Sequence, residues 1–119
     1  MTVSHHAVPA PVTIVRAGAQ LTMDTAHTLV TAIRSLPAGE SPLVVVDMHD
    51  TRVVDSTGVG ALVSSMRYVR QLRGGFALSR LTPELHHVFH LMNLHQVLTV
   101  YDSNERASEE LMSRPTPEF

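Results

Sequence analysis

The segment Asp55-Ser56-Thr57-Gly58-Val59-Gly60 combines a carboxylate, two neighbouring hydroxyls and two glycines. It follows the apolar pair Val53-Val54 and precedes apolar residues at helical spacing, so it predicts a strand-to-helix junction. Asp, Ser and Thr side chains cap helix starts by accepting hydrogen bonds from free backbone amides. The same amides and the helix dipole stabilise negative charge, so a phosphate on Ser56 or Thr57 would be tolerated there. The segment therefore predicts a structural cap, a site of charge-changing modification, or both.

Apolar periodicity predicts the elements that lead to this junction. Val12 to Arg16 alternates like a half-buried strand, and Ala17-Gly18 is predicted to turn it into a short second strand ending near Leu21. These two strands would form an N-terminal edge hairpin. A helix is predicted from about Asp24 to Leu36, capped by Asp24 or Thr25. The apolar run Leu43 to Val46 is typical of a central strand that is covered on both faces.

The second half of the chain continues the alternation of helices and strands. The helix opened by Ser56 is predicted to end at Gly74-Gly75. Thr82 and Pro83 predict the next helix start, and Ser103 the last one. We expect an α/β fold with a mostly parallel sheet of about four to five strands and about four helices. Further predictions are strands Phe76–Leu81 and Val97–Tyr101, core positions Leu85, Val88, Phe89 and Met92, a left-handed Asn93, a domain over 12–113, and flexible tails over 1–11 and 114–119.

The amino-acid composition excludes or disfavours several classes of function. The chain has 119 residues, 44% of them hydrophobic, which suits one folded domain. Its net charge of −2 gives no electrostatic reason to expect a nucleic-acid or membrane partner. No cysteine is present, and all nine basic residues are arginine, so thiolate, Schiff-base and P-loop chemistry are excluded. With no leader segment and no long apolar run recognisable, we expect a cytoplasmic protein without a cofactor.

Taken in order, several segments resemble the STAS-domain anti-sigma factor antagonists of bacteria, also called anti-anti-sigma factors. The resemblance extends over roughly Thr13 to Leu111, and the order and spacing of the segments are more specific than any one of them. The segments are Leu43-Val44-Val45-Val46-Asp47, Val54 to Leu62 through the Asp-Ser-Thr-Gly motif, Arg73-Gly74-Gly75, Leu81-Thr82-Pro83-Glu84 and Tyr101-Asp102-Ser103.

The resemblance implies a single STAS domain that binds other proteins and is not an enzyme. Its partner would be an anti-sigma factor of the serine kinase type, which releases a sigma factor when the antagonist binds. The kinase would phosphorylate the Asp-Ser-Thr-Gly loop and cancel binding, and a phosphatase would restore it. Ser56 and Thr57 both match the acceptor position, with Ser56 slightly favoured. The implied docking surface contains Thr22, Asp24, Asp55, Ser56, Thr57, Gly58, Val59 and Gly60, on a monomer or weak dimer.

One element departs from the family pattern. Members usually carry Gly-Glu-[Leu/Ile]-Asp before the first helix, whereas this chain has Ala19, Gln20, Leu21 and Thr22. Both carboxylates are missing, and Asp24 is the nearest replacement. The loss favours an alternative in which the domain is a STAS scaffold or interaction module, never phosphorylated, within a larger signalling or transport complex.

Other chemistry is disfavoured by missing partner residues. Asp47 follows an apolar strand as in phospho-accepting receiver domains, but the acidic pair and the lysine that such domains carry are absent. Gly58-Val59-Gly60 lacks the third glycine of a dinucleotide site, because Val63 stands there.

Two further clusters are predicted to be solvated surface. The histidines at positions 86, 87, 90 and 95 include an i, i+4 pair with zinc-ligand spacing, but no glutamate follows His86 as metalloprotease chemistry requires. The arginines at positions 67, 70 and 73 could meet an anion or an acidic partner. Met23, Met48, Met66 and Met92 are predicted to be mainly apolar filler.

Overall fold

The computed structural model describes residues 2–4, 12–36 and 41–113. Over these residues the strands are β1 (Thr2–Ser4), β2 (Val12–Arg16), β3 (Gln20–Leu21), β4 (Leu43–Asp47), β5 (Val53–Val54), β6 (Gly75–Ser79) and β7 (Val100–Tyr101), and the helices are α1 (Ala26–Arg34), α2 (Ser56–Gln71), α3 (Pro83–Leu91) and α4 (Asn104–Ser113). The described strands form a five-stranded sheet in the order β1-β2-β4-β6-β7 and a separate two-stranded sheet that pairs β3 with β5. β1 is antiparallel to β2, whereas the other neighbours in the large sheet are parallel. The α/β fold with a mostly parallel sheet and four helices is therefore confirmed for the described residues.

The predicted hairpin between β2 and β3 is wrong. β3 instead pairs in parallel with β5, with Leu21 opposite Val54. The reason lies in contacts that are distant in sequence: the amide of Arg52 donates to the carbonyl of Ala19 at 2.8 Å, and the Thr51 hydroxyl donates to that of Gly18 at 2.6 Å. These bonds draw the chain after β2 away from the large sheet.

The antiparallel edge of the large sheet is formed by β1 and β2, with Thr2 opposite Arg16. These first residues were predicted to belong to a flexible tail and are strand instead. The rest of that predicted tail, residue 1 and residues 5–11, and the predicted tail 114–119 lie outside the described residues.

Helices cover both faces of the sheet. On one face α1, α2 and α3 enclose a core that includes Val15, Val44 and Leu78. On the other face α4 packs its Ala107 and Leu111 against a second core. β2 is therefore buried along nearly its whole length, not half-buried as its alternation predicts, because its two sets of side chains enter different cores.

The helix ends mostly follow the sequence signals. Thr82 caps α3 by accepting from the amide of Leu85 at 3.3 Å, and Ser103 caps α4 by accepting from that of Arg106 at 3.0 Å. Asn93 adopts the predicted left-handed conformation, with φ of 58°. α1 is shorter than predicted, because the Thr25 hydroxyl donates to the Gln20 carbonyl and does not cap the helix.

The apolar face of α3 is narrower than predicted. Leu85 and Phe89 are buried, but Val88 is 42% exposed and Met92 53% exposed. α3 packs mainly against the short 3₁₀ turn Leu94–Gln96, which leaves its second apolar row uncovered.

Candidate functional site: the start of helix α2

The Asp-Ser-Thr-Gly segment forms the first turn of α2. Asp55 is the N-cap in extended conformation, and its Oδ1 accepts a hydrogen bond from the amide of Gly58 at 2.8 Å. Ser56 and Thr57 are the first two helical residues, and both are exposed to solvent. The predicted strand-to-helix junction is confirmed, and the two hydroxyl-bearing residues lie on its solvent side.

The Asp55 carboxylate also joins α2 to the turn between β3 and α1. Its Oδ2 accepts from the amide of Met23 at 3.0 Å, while the Asp55 amide donates to the carbonyl of Leu21 at 3.2 Å. The amide of Gly58, assisted by those of Met23 and Thr57, lowers the pKa of Asp55 below its ordinary value. The carboxylate is therefore ionised at neutral pH and holds two separate segments in one surface.

Gly58 allows these two segments to approach closely. It is buried, and a Cβ there would overlap the carbonyl oxygen of Leu21 and lie 3.1 Å from Cγ1 of Val54. Any larger residue would push the first turn of α2 away from β3. Gly60 differs, because a Cβ at that position would meet nothing within 4 Å.

The turn before α1 is fixed by threonines. The amide of Thr22 donates to Oγ1 of Thr25 at 3.0 Å, and that hydroxyl donates to the carbonyl of Gln20 at 2.9 Å. Thr22 is half-buried within this network, whereas Asp24 is exposed. Within the described residues the Asp24 side chain forms no hydrogen bond or ion pair, so it does not hold the loop in place.

Two apolar residues near this site lie on the surface, which the sequence does not predict. Met23 is 72% exposed and Val53 is 48% exposed, and they belong to the two segments that Asp55 connects. Met23 lies three residues before Ala26 and matches the apolar spacing of α1, a pattern that predicts a buried side chain. Because Met23 precedes the first residue of the helix, however, the position of the helix start is the signal that could identify it as a surface residue. Met48 and Met66 are buried as predicted.

The comparisons with known proteins agree with this architecture. Residues 5–107 match the family model of the STAS domain. The chain belongs to the STAS-domain family. A curated relative, the anti-sigma F factor antagonist of Paenibacillus polymyxa, is 24% identical over 68 residues, or 57% of this chain. The matched region spans 58% of the length of that relative.

Solved structures show the same fold in an anti-sigma factor antagonist and in a transporter family protein. An anti-sigma factor antagonist from Mycobacterium paratuberculosis superposes on this STAS domain with a TM-score of 0.79 and 22% identity, covering 94% of this chain and 92% of that one. A sulfate transporter family protein from Wolinella succinogenes gives a TM-score of 0.75 and 18% identity, covering 88% of each chain. At these identities the likeness establishes the fold.

The histidine cluster of this STAS domain lies on the surface, as predicted. His86, His87, His90 and His95 are exposed, and the rings of His90 and His95 stack with centroids 4.3 Å apart. Across residues 2–4, 12–36 and 41–113, no three His, Cys, Asp or Glu side chains are grouped to hold a metal ion. None of the described helices is both long and apolar enough to cross a membrane.

Asp47, the residue that would correspond to a receiver-domain phosphate acceptor, is enclosed. Its side chain is 1% exposed, and Arg80 binds it through two hydrogen bonds of 3.1 and 2.6 Å. The side-chain amide of Asn104 and the backbone amide of His49 donate to it as well. Burial alone would raise the pKa of Asp47, but these donors outweigh it and lower the pKa. The carboxylate therefore serves as a buried ionic anchor at the end of β4.

Proposed function

We propose that this STAS domain is an anti-sigma factor antagonist whose docking surface is the start of α2 together with the β3–α1 turn. The observation that carries the proposal is the exposure of Ser56 and Thr57 on a helix start fixed by Asp55. The curated relative is described as an anti-sigma F factor antagonist, which supports the same class of partner. Asp24, Val59 and Gly60 border this surface and complete it.

Phosphorylation of this loop by the partner kinase would switch the interaction off. The hydroxyl oxygen of Ser56 or Thr57 forms the new bond to the γ-phosphorus of ATP, the hydroxyl proton is lost to the kinase, and ADP leaves. The phosphoester adds about −1.5 to −2 charges beside the ionised Asp55. Free amides and the helix dipole at the start of α2 stabilise this charge, so the fold persists while the surface repels its partner. A phosphatase hydrolyses the ester and restores the neutral hydroxyl.

The domain contributes an acceptor and a surface to this cycle, and the kinase and phosphatase supply the catalysis. Ser56 is our preferred acceptor, with Thr57 as the second choice. Single replacement by Ala distinguishes them. Thr28, an exposed threonine in the first turn of α1, is the matched control, because it shares the local setting of Thr57 without the Asp55 cap.

The decisive experiment incubates the purified chain with the serine kinase anti-sigma factor of the same organism and ATP. We expect one added phosphate, a mass increase of about 80 Da, on the peptide containing Ser56 and Thr57. The increase should persist in the Thr28→Ala variant and disappear when both Ser56 and Thr57 are Ala. Binding of the kinase without any phosphate transfer would contradict the proposed switch.

The charge mechanism has its own test. Ser56→Asp should weaken binding of the anti-sigma factor by about tenfold or more, equivalent to about 1.4 kcal/mol, because a second carboxylate beside Asp55 loses its water when the partner docks. Ser56→Asn has nearly the same shape without the charge and should bind like the parent chain. Equal affinities for the Asp and Asn variants would contradict a switch based on charge.

A STAS scaffold without phosphorylation is the second candidate. It is favoured by Gln20 and Thr22, which stand where the family pattern has carboxylates, and by Asp24, whose side chain forms no hydrogen bond or ion pair with the described part of the loop. The fold also occurs in a transporter-family protein. In this case the kinase assay gives no phosphate with any candidate kinase, while the chain co-purifies with a stable assembly.

A further inference from the structure

The carboxyl end of α2 has a cationic groove that is separate from the docking loop. It is an open depression of about 590 Å³ lined by Arg67, Arg70, Gln71 and Arg73, all of them exposed. At 1.5 Å per helical residue, Arg67 lies about 17 Å along the axis from Ser56. A partner at the loop therefore does not need to occupy this groove.

The positive charge of the groove is not neutralised within the described part of the chain. Arg16, Arg80 and Arg106 each lie within 4.0 Å of a carboxylate, whereas no described carboxylate lies that close to the groove arginines. The sequence between Asp55 and Glu84 contains no acidic residue, and neither does α1, which packs against α2. Among the residues that the structure describes, this leaves a local excess of positive charge at the carboxyl end of α2.

Arg73 occupies a backbone position that favours glycine. Its φ is 60°, and it closes α2 with hydrogen bonds from its own amide to the carbonyl of Arg70 and from Gly74 to that of Val69, both of 2.9 Å. Glycine adopts this left-handed closure without strain, whereas an arginine does so at a conformational cost. The helix dipole favours a basic residue in the last turn, such as Arg70, but does not require a strained one beyond it. The cost is explained if the guanidinium of Arg73 has a ligand.

We propose that this groove binds an acidic segment of a partner protein, with several carboxylates spaced along it. Guanidinium groups bind carboxylates through paired hydrogen bonds. Arg67 and Arg70 lie about 4.5 Å apart along the axis of α2 at the helical rise, and Arg73 follows beyond the end of the helix, so the three guanidinium groups offer more than one position for a carboxylate. The lining residues are three arginines and a glutamine, with no aromatic or aliphatic residue to enclose a compact ligand, so a multivalent, extended anion fits the groove best.

Fluorescence anisotropy with a labelled octaglutamate peptide tests this inference on the full chain. We expect saturable binding at low salt that weakens as salt is added, because exposed charges are screened. Arg70→Gln should reduce affinity at least threefold, and replacement of all three groove arginines by Gln at least tenfold. Arg52→Gln is the control for net charge, since Arg52 is exposed but lies outside the groove, and it should change affinity less than twofold.

Arg73→Gly separates a binding role from a structural one. Because glycine relieves the backbone strain, this variant should unfold at a higher temperature than the parent chain while binding octaglutamate more weakly. Higher stability with unchanged peptide affinity would overturn the inference. Equal losses in Arg52→Gln and Arg70→Gln would overturn it too, as would saturation by tripolyphosphate without binding of the peptide.

The inference is independent of the proposed switch. Ser56→Asp should leave octaglutamate affinity unchanged, because the charge it adds lies at the other end of α2. If the chain accepts no phosphate but binds octaglutamate, the proposed function is contradicted and the acidic-segment site is not. If it accepts phosphate but does not bind octaglutamate, only the acidic-segment site is contradicted.

Discussion

Asp47, the last residue of β4, and Asp55, which directly follows β5, both have a lowered pKa, yet they have different roles in the molecule. Asp47 is buried and fixed by the guanidinium of Arg80, which follows β6, by the side-chain amide of Asn104 in α4, and by a backbone amide of its own turn. Asp55 receives backbone amides only, at a surface that remains open to solvent. The Asp47 carboxylate holds the sheet and α4 together. The Asp55 carboxylate caps the start of α2 and leaves Ser56 and Thr57 exposed to solvent.

The largest expected effect comes from breaking the buried anchor. Asp47→Ala leaves Arg80 without its carboxylate and Asn104 without its acceptor. Removal of one partner from a buried pair typically costs about 3–5 kcal/mol, and we expect about 2–4 kcal/mol here because Arg80 keeps partial contact with water. Urea unfolding followed by circular dichroism measures the loss. A change below about 1 kcal/mol would show that the network is dispensable.

Gly58→Ala should have the next largest effect and tests the packing beneath Asp55. The new methyl group would overlap the carbonyl oxygen of Leu21, and overpacking of this kind costs about 1–3 kcal/mol. Gly60→Ala is the matched control in the same helix turn, where a methyl group meets nothing within 4 Å. We expect that variant to be neutral or up to about 1 kcal/mol more stable. Thermal unfolding of both variants, measured in parallel, tests this difference in stability.

Asp55→Ala should destabilise the chain less than Asp47→Ala, because its bonds are local and exposed. The expected signature is faster hydrogen exchange at the amides of Met23 and Gly58, which lose their acceptor. Asp55→Asn retains a capping oxygen and should protect Gly58 better than Ala does. Unchanged exchange at Met23 in the Ala variant would show that the carboxylate does not join the two segments.

The smallest expected effect is the acid dependence of stability. Both folded pKa values lie below the ordinary value of 3.8, so each carboxylate stabilises the fold above its unfolded pKa. That contribution is lost as the pH falls through the folded pKa values, below about pH 4. Asp47→Asn should flatten the acid limb of the stability curve more than Asp55→Asn. Unfolding free energies measured between about pH 2 and pH 7 compare the two.

The start of α2 could be predicted because its signals are local. A capping aspartate, two hydroxyls and a glycine within a single turn specify a helix start whatever surrounds it, and the structure confirms the exposure of Ser56 and Thr57. The same holds for the Thr82 cap of α3 and the left-handed Asn93. Roles in phosphorylation and partner binding stay predictions, because they depend on molecules outside this chain.

The alternation of helices and strands, the buried run of β4 and the position of the hydroxyl pair are predictable from the sequence, since each follows from periodicity or capping over a few residues. Contacts between distant segments select the pairing of β3 with β5, the hydrogen bond from Met23 to Asp55, and the bonds from Arg80 and Asn104 to Asp47. The β3–β5 pairing and the bonds to Asp55 and Asp47 each join residues more than thirty positions apart, and many pairings satisfy the same local pattern until packing selects one.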